Sequence, residues 1–93
     1  MIYHVQISRR AEKEIKFVPL YIRRKLLYWI ESVEFQGLEI VRKVPGFHDE
    51  PLLGGRIGQR SIRLNKAYRA IYIVHSNNDV ELVEIIEVNK HEY

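Results

Sequence analysis

The sequence predicts an α+β fold: a two-layer sandwich with an N-terminal strand and two helices packed on one face of a mainly antiparallel sheet of about four strands. Three observations predict it. The N-terminal third passes from strand-like alternation to helical spacing. The C-terminal third alternates in three runs divided by polar turns. Two helices cannot cover both faces of such a sheet, so one face stays open to solvent. The 93 residues make one domain, 1–93, with a single modest core.

Ile2 to Ile7 alternates Tyr3, Val5 and Ile7 against His4 and Gln6, a short half-buried strand. Ser8 is the expected N-cap of a first helix carrying Ala11, Ile15 and Val18 on its inner face. Pro19 can open a second helix, because its missing N–H is not needed there. Ile22, Leu26, Trp29, Ile30 and Val33 form that helix's apolar stripe, and Gly37 closes it. Tyr21, Tyr28 and Trp29, at helical spacing, read as packing residues rather than as a base-stacking platform. Leu38 to Val44 is a further short helical piece, stopped by Pro45-Gly46. PGFHDEPLLGG then reads as irregular loop. Arg60–Leu64, Arg69–His75 and Val80–Val88 form a three-stranded meander, turning through Asn65-Lys66-Ala67 and through Ser76-Asn77-Asn78-Asp79.

Charge is segregated along the chain. No acid lies between Glu50 and Asp79, while Arg56, Arg60, Arg63, Lys66 and Arg69 do. These are five of the 15 Lys/Arg residues, and all 12 acids lie outside the stretch. A sheet loaded in this way is suited to a polyanion, and phosphate is the commonest one. No apolar run nears the roughly 20 residues of a membrane span. The N-terminus lacks the pattern of a signal peptide. The absence of cysteine removes disulfides and thiolate metal sites and fits a cytoplasmic location. Four histidines without repeated spacing make no metal site, and no cofactor is implied. Gly54, Gly55 and Gly58 lead into a strand rather than a helix, so they are not a phosphate-binding loop of the Walker kind.

If Ile62 and Leu64 pack on the helices, Ser61 and Arg63 face outward, and Arg69 stands across the turn from Arg63. Arginine grips phosphate with a two-pronged fork and keeps its proton. The plain alternative is a row of solvated strand cations that discourage edge pairing. His48-Asp49-Glu50 borders the basic block; it is either a simple surface turn or the source of a general base. Lys90, His91 and Tyr93 end the chain, either as a frayed terminus or as donors delivered to the same patch by the last strand. His4 and His75 read as surface or boundary residues.

The order of elements, the segment LLGGRIGQRSIRLNKAYRAIY and the closing EVNKHEY resemble the RelE/HigB/ParE superfamily of bacterial type II toxins over nearly the whole chain. The resemblance implies a RelE-like fold and an endoribonuclease that cuts mRNA, often in the ribosomal A site. It also implies a cognate antitoxin that wraps and neutralises the toxin. Residue by residue, Arg63 matches the basic residue of the first meander strand and Arg69 the arginine of the YR motif. His91 and Tyr93 match the catalytic tail, and Glu50 the loop carboxylate that some members use as a base. Arg56, Arg60, Ser61, Lys66, Lys90 and His48 would add RNA contacts. The implied chemistry is metal-independent: the RNA's own 2′-OH attacks the adjacent phosphorus, which needs a base, cations on the phosphate and an acid at the leaving oxygen. Two rivals stay open: a ParE-like inhibitor of DNA gyrase, and a non-catalytic RNA-binding module.

Overall fold

Alternation in the last third of the chain becomes a long antiparallel hairpin, and the other elements assemble around it. The computed structural model describes residues 1–90. In chain order these form β1 (Val5–Ile7), α1 (Arg9–Ile15), α2 (Leu20–Gln36), α3 (Leu38–Val41), β2 (Glu50–Pro51), β3 (Gln59–Arg63), β4 (Tyr68–Asn77) and β5 (Val80–Lys90). The strands make one sheet in the order β1-β5-β4-β3-β2. All neighbours are antiparallel except β1, which runs parallel to β5 with Val5 opposite Val83.

The expected architecture is present, with one strand more than expected. The sheet has five strands, because Glu50 and Pro51 pair with Ser61 and Arg60 inside the loop expected to be irregular. Proline is tolerated there because β2 is an edge strand. The first strand is shorter than its alternation suggests. Ile2 is diverted to α3, where its N–H donates to Glu39 Oε1 at 3.1 Å and its carbonyl accepts from Leu38 N at 2.7 Å.

The helical boundaries follow from local chemistry. Ser8 Oγ accepts from Ala11 N at 3.1 Å, capping α1. Gly37 ends α2 at φ 93°, a conformation that disfavours side chains. Where β1 stops, α1 satisfies the edge of β5: Glu14 Oε1 accepts from Val88 N at 2.9 Å.

The core lies between the helices and one face of the sheet. Ile22, Leu26, Trp29 and Val33 of α2 pack over Ile62, Ala70, Tyr72, Val83, Ile85 and Val88. The ring centroids of Trp29 and Tyr72 are 5.2 Å apart. A bulge in the β4/β5 pairing leaves Ile86 without an opposite residue: Ile71 faces Glu87 and Tyr72 faces Ile85. It turns Glu87 away from the core while Val88 stays in it.

Burial pushes the Tyr72 phenol above its ordinary range, and its hydrogen bond to the Asp49 carboxylate adds to the shift. A phenol raised above 10.0 in the fold stabilises it below that pH and loses the contribution as pH climbs past it. Urea titrations are therefore expected to show the parent losing stability more steeply than Tyr72→Phe above pH 10.0. Parallel pH profiles would contradict this account.

Candidate functional site

The turn between β3 and β4 sets two arginines side by side. Arg63 and Arg69 are direct partners in the ladder, on the face opposite Ile62 and Ala70. Asn65 Oδ1 accepts from the N–H groups of Ala67 and Tyr68 at 2.7 Å each, and this fixes the turn. A groove of about 180 Å³ opens around the pair, lined by His48, Glu50, Leu52, Ser61, Asn65, Lys66 and Tyr68 as well as the two arginines. Six residues singled out in the sequence thus converge: His48, Glu50, Ser61, Arg63, Lys66 and Arg69.

Glu50 and His48 reach the groove because of the residue between them. His48 adopts the left-handed conformation, φ 45° and ψ 52°, which reverses the chain. Asp49 then points inward, with a fully buried side chain, while Glu50 pairs in register with Ser61. Arg60 Nε donates to Asp49 Oδ1 at 2.6 Å, and Tyr72 Oη donates to Oδ2 at 2.5 Å. Burial works against the Arg60 charge, but the Asp49 hydrogen bond and charge outweigh it and hold the guanidinium pKa above its ordinary value. A buried carboxylate clamped in this way anchors the loop to the sheet.

The same network changes the reading of two cations. Arg60 alternates with Ser61 and so shares the face of Ile62, where Asp49 neutralises it. Arg56 is paired with Glu87 and hydrogen-bonded to Gln59 Oε1 at 2.8 Å. Neither is among the residues that line the groove, and both are paired with acids of the fold. The physical reason is that acids distant in sequence, Asp49 and Glu87, fold back onto the acid-free segment. Glu87 was missed because only the bulge in β5 turns it outward; it is buried and also holds Arg10 and Asn89. Lys90 is exposed opposite Tyr68 and lies outside the groove lining. His91 and Tyr93 lie outside the described residues.

Arg63 and Arg69 differ from these paired cations. Among the described residues neither forms a salt bridge, whereas Arg10, Arg56 and Arg60 all do. Arg69 Nε is also buried without an acceptor among the described residues. A buried guanidinium N–H without an acceptor is costly unless a ligand supplies one. The groove therefore presents two adjacent forks without paired carboxylates among the described residues, bordered by one carboxylate and one imidazole. That arrangement can bind an oxyanion and place a base at its edge.

Asp49→Ala is expected to cost about 3 kcal/mol in urea denaturation, because it strands Arg60 in a partly buried site. Arg69→Met is expected to leave stability unchanged or raise it by up to about 1 kcal/mol, since it strands no partner among the described residues and removes a cation opposite Arg63. Reversed magnitudes would show that the clamp and the groove have been misassigned.

No family model matches the sequence, and no curated protein is similar to it in sequence. Solved structures are similar in fold. A YoeB/ParE toxin from Agrobacterium tumefaciens superposes with a TM-score of 0.70 at 18% identity, covering 96% of this chain and 99% of that one. The YoeB–YefM complex from Staphylococcus aureus gives 0.71 at 19% identity, covering 99% and 100%. The archaeal RelE–RelB complex from Pyrococcus horikoshii gives 0.69 at 24% identity, covering 97% and 96%. The chain therefore has the fold of RelE- and YoeB-like toxins over essentially its whole length.

Proposed function

We propose that the protein is the toxin of a type II toxin–antitoxin system and an endoribonuclease that cleaves mRNA on the ribosome without a metal ion. The observation that carries this reading is the pair Arg63 and Arg69, adjacent in the ladder and without carboxylate partners among the described residues, sharing one groove with Glu50 and His48. The shared fold supports the toxin assignment, and neighbours solved with RelB and YefM support a protein antitoxin as partner.

In the proposed reaction Arg63 and Arg69 hold the non-bridging oxygens of the scissile phosphate, with Lys66 adding charge at the rim. Glu50 or His48 takes the proton from the 2′-OH. The 2′-oxygen bonds to phosphorus, and the P–O5′ bond breaks. His91 or Tyr93 donates a proton to the departing 5′-oxygen. The products are a 2′,3′-cyclic phosphate and a 5′-hydroxyl. DNA, lacking the 2′-OH, cannot react. Negative charge grows on the phosphate in the transition state, so fixed cations there favour it over the bound substrate.

Arg69→Ala is expected to lower cleavage by about 10²–10³ while the fold persists. Primer extension on cellular mRNA after induction reads this directly. Discrete cuts with the parent and none with the variant support the nuclease. Intact message together with broken chromosomal DNA would move the protein to the gyrase-inhibitor reading. Binding of programmed ribosomes without any cutting by the parent would leave a non-catalytic RNA-binding module.

A further inference from the structure

The two tyrosines of α2 are not packed as the sequence suggests. Trp29 is fully buried, but Tyr21 and Tyr28 are each 60% exposed. They lie seven residues apart on one helix face, about 10 Å along its axis. Tyr21 reaches the groove's rim directly, and Tyr28 is linked to it only through Phe47. Asn65, a groove residue, donates from Nδ2 to Tyr21 Oη at 3.5 Å. Tyr28 packs on Phe47 with ring centroids 5.9 Å apart, and Phe47 directly precedes the groove residue His48. Lys25 Nζ lies 4.9 Å from the Phe47 ring and 5.8 Å from the Tyr28 ring.

This ledge carries a second acid-free stretch. Between Glu14 and Glu31 the chain has Lys16, Arg23, Arg24 and Lys25 and no carboxylate. Exposed aromatic rings interleaved with cations, meeting the groove at Asn65 in the β3/β4 turn, match the two demands of a single strand that passes around this edge: planar surfaces for bases and positive charge for the backbone. An acidic protein partner would satisfy the cations and could cover the rings, but the contact of Tyr21 with Asn65 in the groove lining favours a ligand shared with the groove.

We infer that Tyr21 and Tyr28, with Lys25 between them, form a stacking ledge for bases of the single-stranded RNA whose scissile phosphate occupies the Arg63/Arg69 groove. The inference rests on the RNA-cleaving reading above and extends it to the nucleotides flanking the cut. It assigns α2 a role in gripping substrate, independent of sequence because every base has a stackable face.

The test uses a fluorescent, fully 2′-O-methylated RNA strand of about 12 nucleotides, within the usual span of single-strand sites, and an abasic strand of the same length. The methylated strand cannot react. Fluorescence anisotropy is measured for the parent, Tyr21→Leu, Tyr28→Leu and a control, Phe35→Leu. Phe35 is exposed on the same helix but stands beside Glu34, where charge repels a polyanion. Each tyrosine variant is expected to weaken binding of the base-bearing strand about tenfold, to leave abasic binding unchanged, and to match the parent in melting temperature. If Tyr28→Leu melts lower through lost contact with Phe47, Tyr21→Leu carries the test alone. Binding of the base-bearing strand unchanged in the tyrosine variants overturns the ledge and leaves this face to a protein partner. No binding of either strand by the parent overturns the ledge, whereas the cleavage reading stands or falls on the primer-extension result.

Discussion

A buried carboxylate holds the groove together. Asp49 accepts from Arg60 and from Tyr72, and Tyr72 in turn packs against Trp29 of the long helix. One side chain thereby links the irregular loop, two neighbouring strands and the helical layer. Its neighbours in sequence, His48 and Glu50, are carried to the groove because Asp49 goes the other way. Without that anchor a two-residue edge strand has little to hold it, since a pair this short gains few ladder bonds. The reach of Glu50 toward the arginine pair is thus set by a contact on the far side of the sheet.

Charge in this protein is sorted by pairing rather than by count. Of the five cations in the acid-free stretch, Arg56 and Arg60 are tied to Glu87 and Asp49. Arg63 and Arg69, three residue pairs beyond Arg60 in the β3/β4 ladder, have no salt-bridge partner among the described residues. Like charges directly opposite one another in a ladder destabilise it. Such an arrangement is a standing cost to the fold that an oxyanion bound between the two forks would relieve, and sites for ligands commonly carry such costs.

Much of this was legible in the sequence because it depends on period and sign. Alternation in RSIRL placed Arg63 away from Ile62, and a short turn placed Arg69 across from it. The helical stripe from Ile22 to Val33 and the caps at Ser8 and Gly37 rest on local chemistry that a sequence displays. The remainder depends on contacts between distant residues. Nothing local marks Asp49 as buried or Glu87 as the partner of Arg56; one follows from a left-handed His48, the other from a bulge at Ile86. The pairing of Glu50 with Ser61 was hidden in a loop rich in proline and glycine. Tyr21 and Tyr28 share helical spacing with Trp29, yet they fall on the outer side of α2, because the core stripe is filled by Ile22, Leu26, Trp29 and Val33.

The central claim is that the groove turns the RNA's own 2′-OH against the phosphate held by Arg63 and Arg69. The end groups of the cleaved message test it most directly. The upstream fragment is expected to end in a 2′,3′-cyclic phosphate and the downstream fragment to begin with a 5′-hydroxyl. Fragments bearing a 5′-phosphate and a 3′-hydroxyl would contradict it, because they require water rather than the 2′-OH as the nucleophile.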